Sequence, residues 1–217
     1  MEENVSKAVL KEKLIAIVRG VEKEKLIPTA EALYAGGVRL LEITFSATGA
    51  PSDAETAESI AMLVKHFAGR MHIGAGTVLS AEQVERVAEA GGRFIISPDT
   101  NAAVIERTKQ LGLVSIPGAL TPTEVQTAHR AGADFIKLFP VEGLGTAYVK
   151  AISAPLSHIK FLAVGGVNEE NMASFLQAGV CGFGIGSGMV NRKLIEEGNY
   201  DAVTELAKKY VAVLADG

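Results

Sequence analysis

At 217 residues, 48% hydrophobic and 21% charged, the chain suits one barrel or doubly wound domain, large enough to bury a core without a disulfide or metal staple. The net charge of −4 comes without a basic block, which argues against nucleic acid as a partner and leaves room for a small phosphorylated ligand. Cys181 is the single cysteine, no apolar run approaches the roughly 18 residues of a spanning helix, and Met1-Glu2-Glu3-Asn4 lacks a signal-peptide core, so a cytoplasmic protein with no membrane partner is expected.

Short apolar runs alternate with longer amphipathic stretches along the chain. The runs are Leu14–Val18, Arg39–Phe45, Met71–Ala75, Arg93–Ser97, Leu113–Ile116, Asp134–Phe139, Ile159–Val164 and Cys181–Ile185. Each has the length and composition of a strand buried on both faces. A long loop, Ser46–Asp53, follows the second run. Helices are predicted over Ala81–Ala90, with Ser80 as N-cap and Gln83 at the third helical position, and over Thr123–Ala131 after Thr121-Pro122. A further helix is predicted over Asn168–Ala178, directly after Gly165-Gly166-Val167, and a terminal one over Tyr200–Leu214. Glycines at 36–37, 91–92, 112, 132 and 179 fit left-handed helix ends. Ala-Gly-Gly-Val-Arg, Ala-Gly-Gly-Arg-Phe and Ala-Gly-Ala-Asp-Phe each close a helix and open a strand, the mark of a repeated unit. Eight such units without a linker predict an α/β chain forming one (β/α)8 barrel of the TIM type over residues 1–217, with an N-terminal helix. An open doubly wound sheet is the alternative.

Barrels of this kind carry chemistry at the C-terminal ends of their strands. Lys137 lies there, in Phe135-Ile136-Lys137-Leu138-Phe139-Pro140, and period-two alternation places it on one face with Phe135 and Phe139. An apolar setting lowers a lysine's pKa and frees an amine able to attack a ketone. Glu42 lies in Leu40-Leu41-Glu42-Ile43-Thr44-Phe45, where alternation turns it inward, and burial of its carboxyl would let it exchange protons near neutrality. The plain alternative for both is a structural ion pair between Glu42 and Lys137 or Arg19. Gly165-Gly166-Val167-Asn168 and Gly184-Ile185-Gly186-Ser187-Gly188 end the last two runs, and glycine-rich helix starts of this kind cradle phosphate through backbone N–H groups. His66, His72, His129 and His158 lack metal-ligand spacing, so no metal is expected. Asp134 and Cys181 open their strands on the opposite rim, where stability is the expected role.

Taken in order, Ala16-Ile17-Val18-Arg19, Leu41-Glu42-Ile43-Thr44, Ile73-Gly74-Ala75-Gly76-Thr77-Val78, Ile96-Ser97-Pro98, Pro117-Gly118, Lys137-Leu138-Phe139-Pro140 and Gly165-Gly166-Val167 resemble the 2-keto-3-deoxy-6-phosphogluconate aldolase / 4-hydroxy-2-oxoglutarate aldolase family over nearly the whole chain. The resemblance implies an aldehyde-lyase in which Lys137 forms a Schiff base and Glu42 shuttles the proton. It further implies Thr77 and Pro98 in the pyruvate pocket, Phe139 beside the lysine, Arg19 on a substrate anion, and Gly165, Gly166, Gly186 and Ser187 around phosphate. It implies a homotrimer, a small-molecule keto acid as substrate, and no cofactor. Two positions depart from gluconate-type members: Ser46 stands where many have Arg, and Val164 stands where Thr is usual, as in galactonate-type members. An isomerase or epimerase on a phosphate-binding barrel, a keto-acid decarboxylase and a non-catalytic ligand-binding trimer are the competing readings.

Overall fold

The computed structural model describes residues 4–215; the acidic start at Met1, Glu2 and Glu3 lies outside them. Nine strand segments form one parallel sheet: β1 (Leu14–Val18), β2 (Leu40–Thr44), β3 (His72–Gly76), β4 (Phe94–Ile96), β5 (Val114–Ile116), β6 (Gly118–Ala119), β7 (Ile136–Leu138), β8 (Phe161–Val164) and β9 (Gly182–Ile185). β1 pairs with both β2 and β9. The predicted fifth run is β5, and beyond Pro117, which has no N–H to give to a ladder, the short β6 continues the same strand further than the sequence suggested. β5 pairs with β4 and β6 with β7, so the two pieces act as one strand. Phe135 N–H donates to the Ser115 carbonyl at 3.2 Å and Lys137 N–H to the Pro117 carbonyl at 2.9 Å, which carries the ladder across the break. The result is a (β/α)8 barrel.

The helices are α1 (Val5–Glu12), α2 (Lys23–Ala35), α3 (Asp53–Phe67), α4 (Ala81–Glu89), α5 (Ala102–Gln110), α6 (Pro122–Arg130), α7 (Gly145–Ser153), α8 (Met172–Gln177), α9 (Arg192–Glu196) and α10 (Tyr200–Ala215). Ser80 caps α4 by accepting from Gln83 N–H, and Thr121 with Glu124 forms a full capping box on α6. The helix predicted from Asn168 begins at Met172 instead. Asn168 and Asn171 cap each other's backbone N–H at 2.9 and 3.1 Å, and the turn between them, closed by Met172 N–H on the Asn168 carbonyl at 3.1 Å, is irregular. Asp134 stands on the N-terminal rim as expected: it accepts from Ser115 N–H at 2.8 Å and holds Lys109 Nζ at 2.6 Å.

Two cores result. The larger lies between barrel and helices. The smaller fills the lumen, where Ile15, Leu40, Phe94, Ile96, Val114, Ile116, Phe135 and Leu162 pack together with Val5, Ala8 and Val9 of α1. The N-terminal helix therefore closes the floor of the barrel. Burial stabilises each such large side chain by about 1.5–3 kcal/mol. Beyond His72 at its start, which is in register with Leu40, β3 puts no side chain into the lumen, because its next two inward positions are Gly74 and Gly76. A Cβ on Gly74 would overlap the Phe94 ring, and a Cβ on Gly76 would overlap the Glu42 carboxylate. The glycines leave the room that these neighbours occupy.

Gly74→Ala should therefore cost about 1–3 kcal/mol of stability through overpacking. Gly186→Ala, where nothing lies within 4 Å of the added carbon, should stay within about 0.5 kcal/mol of the parent. Chemical denaturation of both variants checks the pair, and equal stabilities would contradict the packing assigned to β3.

Candidate active site

Lys137 sits on β7 with 7% of its surface exposed, pointing into the upper lumen. Its alternation partner Phe135 packs below it in the lumen core, and Phe139, half-buried, stands above. The Lys137 Nζ lies 4.5 Å from the Phe139 ring centroid. Burial holds the Lys137 pKa below the usual lysine value; the Glu42 carboxylate opposes that shift, and the Arg19 guanidinium adds to it. A larger share of this amine is uncharged at a given pH than for a surface lysine, which is the state a nucleophile needs.

Glu42 reaches the same space from β2 with 1% exposure. Burial pushes its carboxyl above the usual carboxylate range, against the pull of Lys137 and then Arg19. Its Oε2 is buried with no hydrogen-bond partner among the described residues. The ion-pair alternative is not realised: among the described residues no ion pair includes Glu42, Lys137 or Arg19. The two groups line one narrow cavity with Ile15, Ile17, Ile96 and Val164. Such an arrangement can hold an amine and a carboxyl in opposite proton-transfer roles.

The other expected residues surround that mouth. Arg19, exposed just past β1, donates from Nη2 to Thr77 Oγ1 at 3.2 Å. Thr77 adopts φ 56°, a left-handed conformation that a β-branched residue reaches only under constraint, at a cost of about 1–3 kcal/mol. Pro98 follows β4, and Gly118 packs so closely on its carbonyl that a Cβ there would overlap it. Val164, 7% exposed, ends β8 on the lumen face and touches the cavity of Lys137 and Glu42.

The glycine loops differ from each other. Gly165 and Gly166 both have positive φ and pack against Phe139, Pro140 and Glu142 beyond β7. The helix that was expected to begin there starts later, so its N-terminus is not part of the cradle. Past β9, a single helical turn runs from Gly186 to Val190, closed by Val190 N–H on the Gly186 carbonyl at 2.8 Å. The amides of Gly166, Ser187 and Gly188 make no hydrogen bond among the described residues. Nothing lies within 4 Å of a Cβ position on Gly186, so the backbone there is open to approach. Gly76, which makes space for Glu42, was read from the sequence only as part of the Gly74–Thr77 strand end and not given that role; the signal available was glycine at two successive inward positions of one strand. Among the described residues there is no group of three His, Cys, Asp or Glu able to hold a metal, and no helix long and apolar enough to cross a membrane.

Comparison with known proteins accords with this geometry. The family model described as KDPG and KHG aldolase matches residues 5–206. The chain is 40% identical over 177 residues, 81% of each chain, to a probable 2-dehydro-3-deoxy-6-phosphogalactonate aldolase of Rhizobium meliloti. It is 32% identical over 214 residues, 97% of each chain, to the 2-dehydro-3-deoxy-phosphogluconate aldolase of Treponema pallidum. It superposes with a TM-score of 0.84 and 30% identity on a KDPG aldolase from Legionella pneumophila, covering 94% of this chain and 96% of that one; that structure holds pyruvate captured at low pH as a covalent carbinolamine intermediate.

The electrostatics give a linkage prediction. A carboxyl whose folded pKa is raised binds its proton more tightly in the folded state, so it lowers stability as pH rises above its unfolded value of 4.5. Glu42→Gln removes that titration. The variant should gain stability relative to the parent as pH climbs from 4.5 towards the raised pKa, read from urea unfolding at a series of pH values. Parallel pH profiles would mean that the Glu42 carboxyl is not desolvated.

Proposed function

The chain belongs to the KDPG and KHG aldolase family, and on that premise we propose that it is a lysine-dependent aldolase cleaving a 2-keto-3-deoxy-6-phospho sugar acid to pyruvate and D-glyceraldehyde 3-phosphate. The observation that carries this reading is the buried Lys137, its pKa lowered, in one apolar cavity with a Glu42 whose pKa is raised. The Lys137 amine adds to the C2 ketone to give a carbinolamine, which loses water to become an iminium. The iminium accepts the electron pair of the breaking C3–C4 bond while Glu42 takes the C4-hydroxyl proton. The aldehyde leaves, the enamine is protonated at C3, and water hydrolyses the iminium to release pyruvate and the free amine. The same steps convert 4-hydroxy-2-oxoglutarate to pyruvate and glyoxylate.

Arg19 and Thr77 are assigned to the substrate carboxylate, with Pro98 and Phe139 as the walls of the pyruvate pocket. The open amides of Gly166, Ser187 and Gly188, with the exposed backbone at Gly186, support a phosphate subsite across the mouth. A cytoplasmic homotrimer without cofactor is the expectation that comes with the family resemblance. A barrel isomerase or epimerase needs acid and base groups but no buried amine, so Lys137 favours the aldolase.

Borohydride added with pyruvate should inactivate the protein and leave one pyruvate-derived mass on Lys137, mapped by peptide mass spectrometry. Lys137→Arg should lose turnover and labelling together, because a guanidinium stays protonated and forms no imine. Label on a different lysine, or none, would sink the proposal.

Substrate stereochemistry is assigned to Val164. It stands beside the catalytic pair and offers no hydrogen bond, so discrimination between C4 epimers is expected to be weak, with the galacto form accepted about as well as the gluco form. Val164→Thr should shift preference towards the gluco epimer by roughly one hydrogen bond, ~0.5–1.5 kcal/mol or several-fold in kcat/KM. An unshifted ratio would place the discrimination elsewhere, in the Ser46–Asp53 loop.

A further inference from the structure

The loop after β2 and the loop after β3 are fastened to one another by a single side chain. Gln83, in the first turn of α4, donates from Nε2 to both carboxylate oxygens of Asp53, at 3.2 and 3.1 Å. Its Oε1 accepts from Leu79 N–H at 2.7 Å, and its own N–H donates to Ser80 Oγ at 3.3 Å. Asp53 is the first residue of α3, directly after the long loop that begins at Ser46, and Leu79 lies two residues past Thr77. The Ser46 end of that loop is organised separately: Ser46 Oγ meets Thr48 Oγ1 at 3.0 Å and accepts from Thr48 N–H at 3.2 Å.

Thr77 needs such support. Its φ of 56° persists only if the flanking chain is held on both sides. On one side it continues β3. On the other, Val78 N–H donates to the Ile96 carbonyl at 3.2 Å, and Ser97 Oγ donates to the Val78 carbonyl at 2.7 Å. Leu79 is the next residue out, exposed and fixed by Gln83. Arg19 reaches Thr77 Oγ1 from across the mouth, so the placement of that hydroxyl also sets where the guanidinium stands.

We infer that Gln83 is a positioning residue for the keto-acid carboxylate: by joining Leu79 to Asp53 it locks Thr77 and, through it, Arg19, and it couples the Ser46–Ser52 loop to the same pocket. The inference rests on the proposed pyruvate pocket at Thr77 and Arg19. The position of the start of α3, where the long loop ends, is thereby transmitted to the anion end of the site. The amide of Gln83 is suited to this because it is a donor at one end and an acceptor at the other. A carboxylate could keep the bond to Leu79 but would face Asp53 with like charge.

The test uses the full-length protein and pyruvate as probe, reading the pyruvate concentration that gives half-maximal borohydride trapping on Lys137. Thr77→Val first checks the pocket and should raise that concentration. Gln83→Glu should raise it about tenfold through misplacement of the anion ligands, while α4 tolerates an acid in its first turn. Adding Asp53→Asn to Gln83→Glu restores a donor facing an acceptor and should return the value to within about twofold of the parent. Thermal melts of all variants separate positioning from stability, since a merely structural tie would move the melting temperature and leave half-saturation in place. An unchanged value in Gln83→Glu beside a raised one in Thr77→Val would overturn the inference and spare the pocket. Failure of Asp53→Asn to rescue would overturn it too. An unchanged Thr77→Val would remove the pocket, and the inference with it.

Discussion

Everything at this mouth depends on the desolvation of two ionisable groups in a lumen that is otherwise apolar. A surface lysine stays charged and is no nucleophile at neutral pH; a surface glutamate stays ionised and is a weak base. Burial moves Lys137 down and Glu42 up, so the two are drawn towards the range where each can give and take protons. Their mutual attraction limits how far each moves, because the charged forms favour one another. A closer pairing would cancel the shifts, and a wetter lumen would erase them. The pair is useful because it is near and not joined.

The lower barrel exists to keep it so. Phe94, Phe135, Leu40 and Leu162 fill the lumen beneath, and α1 covers the floor with Val5, Ala8 and Val9. This packed apolar layer separates the pair from the floor of the barrel. Above that layer the inward side chains become fewer: β3 offers Gly76 and β9 offers Gly184. The first gives the Glu42 carboxylate its place. The second lies against Val164 and Ile17, which complete the cavity wall. Barrel stability and barrel chemistry thus occupy successive layers of the same strands.

Much of this could be read from the residues in order, and the parts that could not have physical reasons. A charge amid an apolar run is conspicuous, so Lys137 and Glu42 were legible, and alternation alone turned both inward. The strands were legible as runs, although the short continuation of the fifth beyond Pro117 was not, since two small residues after a proline carry no strand pattern. The helix at Asn168 was misplaced because two asparagines three residues apart cap each other, and propensity alone does not distinguish that from an N-cap. The left-handed Thr77 was hidden, since nothing local asks a β-branched residue to adopt it. Its cause is tertiary. The tie from Gln83 to Asp53 spans 30 positions and exists only once β2 and β3 lie side by side.

The relatives at 40% and 32% identity carry different sugar names, and the architecture accounts for how one scaffold can do so. The proposed bond-breaking groups stand on strands whose register is set by a ladder and by lumen packing, so a change there disturbs the whole barrel. Contacts to the distal part of a substrate come from strand ends and loops, which can vary at little cost to the core. Val164 stands at the border between the two regimes. It is a strand residue that packs against Gly184 and is therefore held in place, yet it faces the cavity. On the proposed assignment, exchange of a methyl for a hydroxyl there would alter what the site can recognise while keeping the shape of the wall. A position of that kind lets substrate preference drift while the amine and the carboxyl below it stay buried.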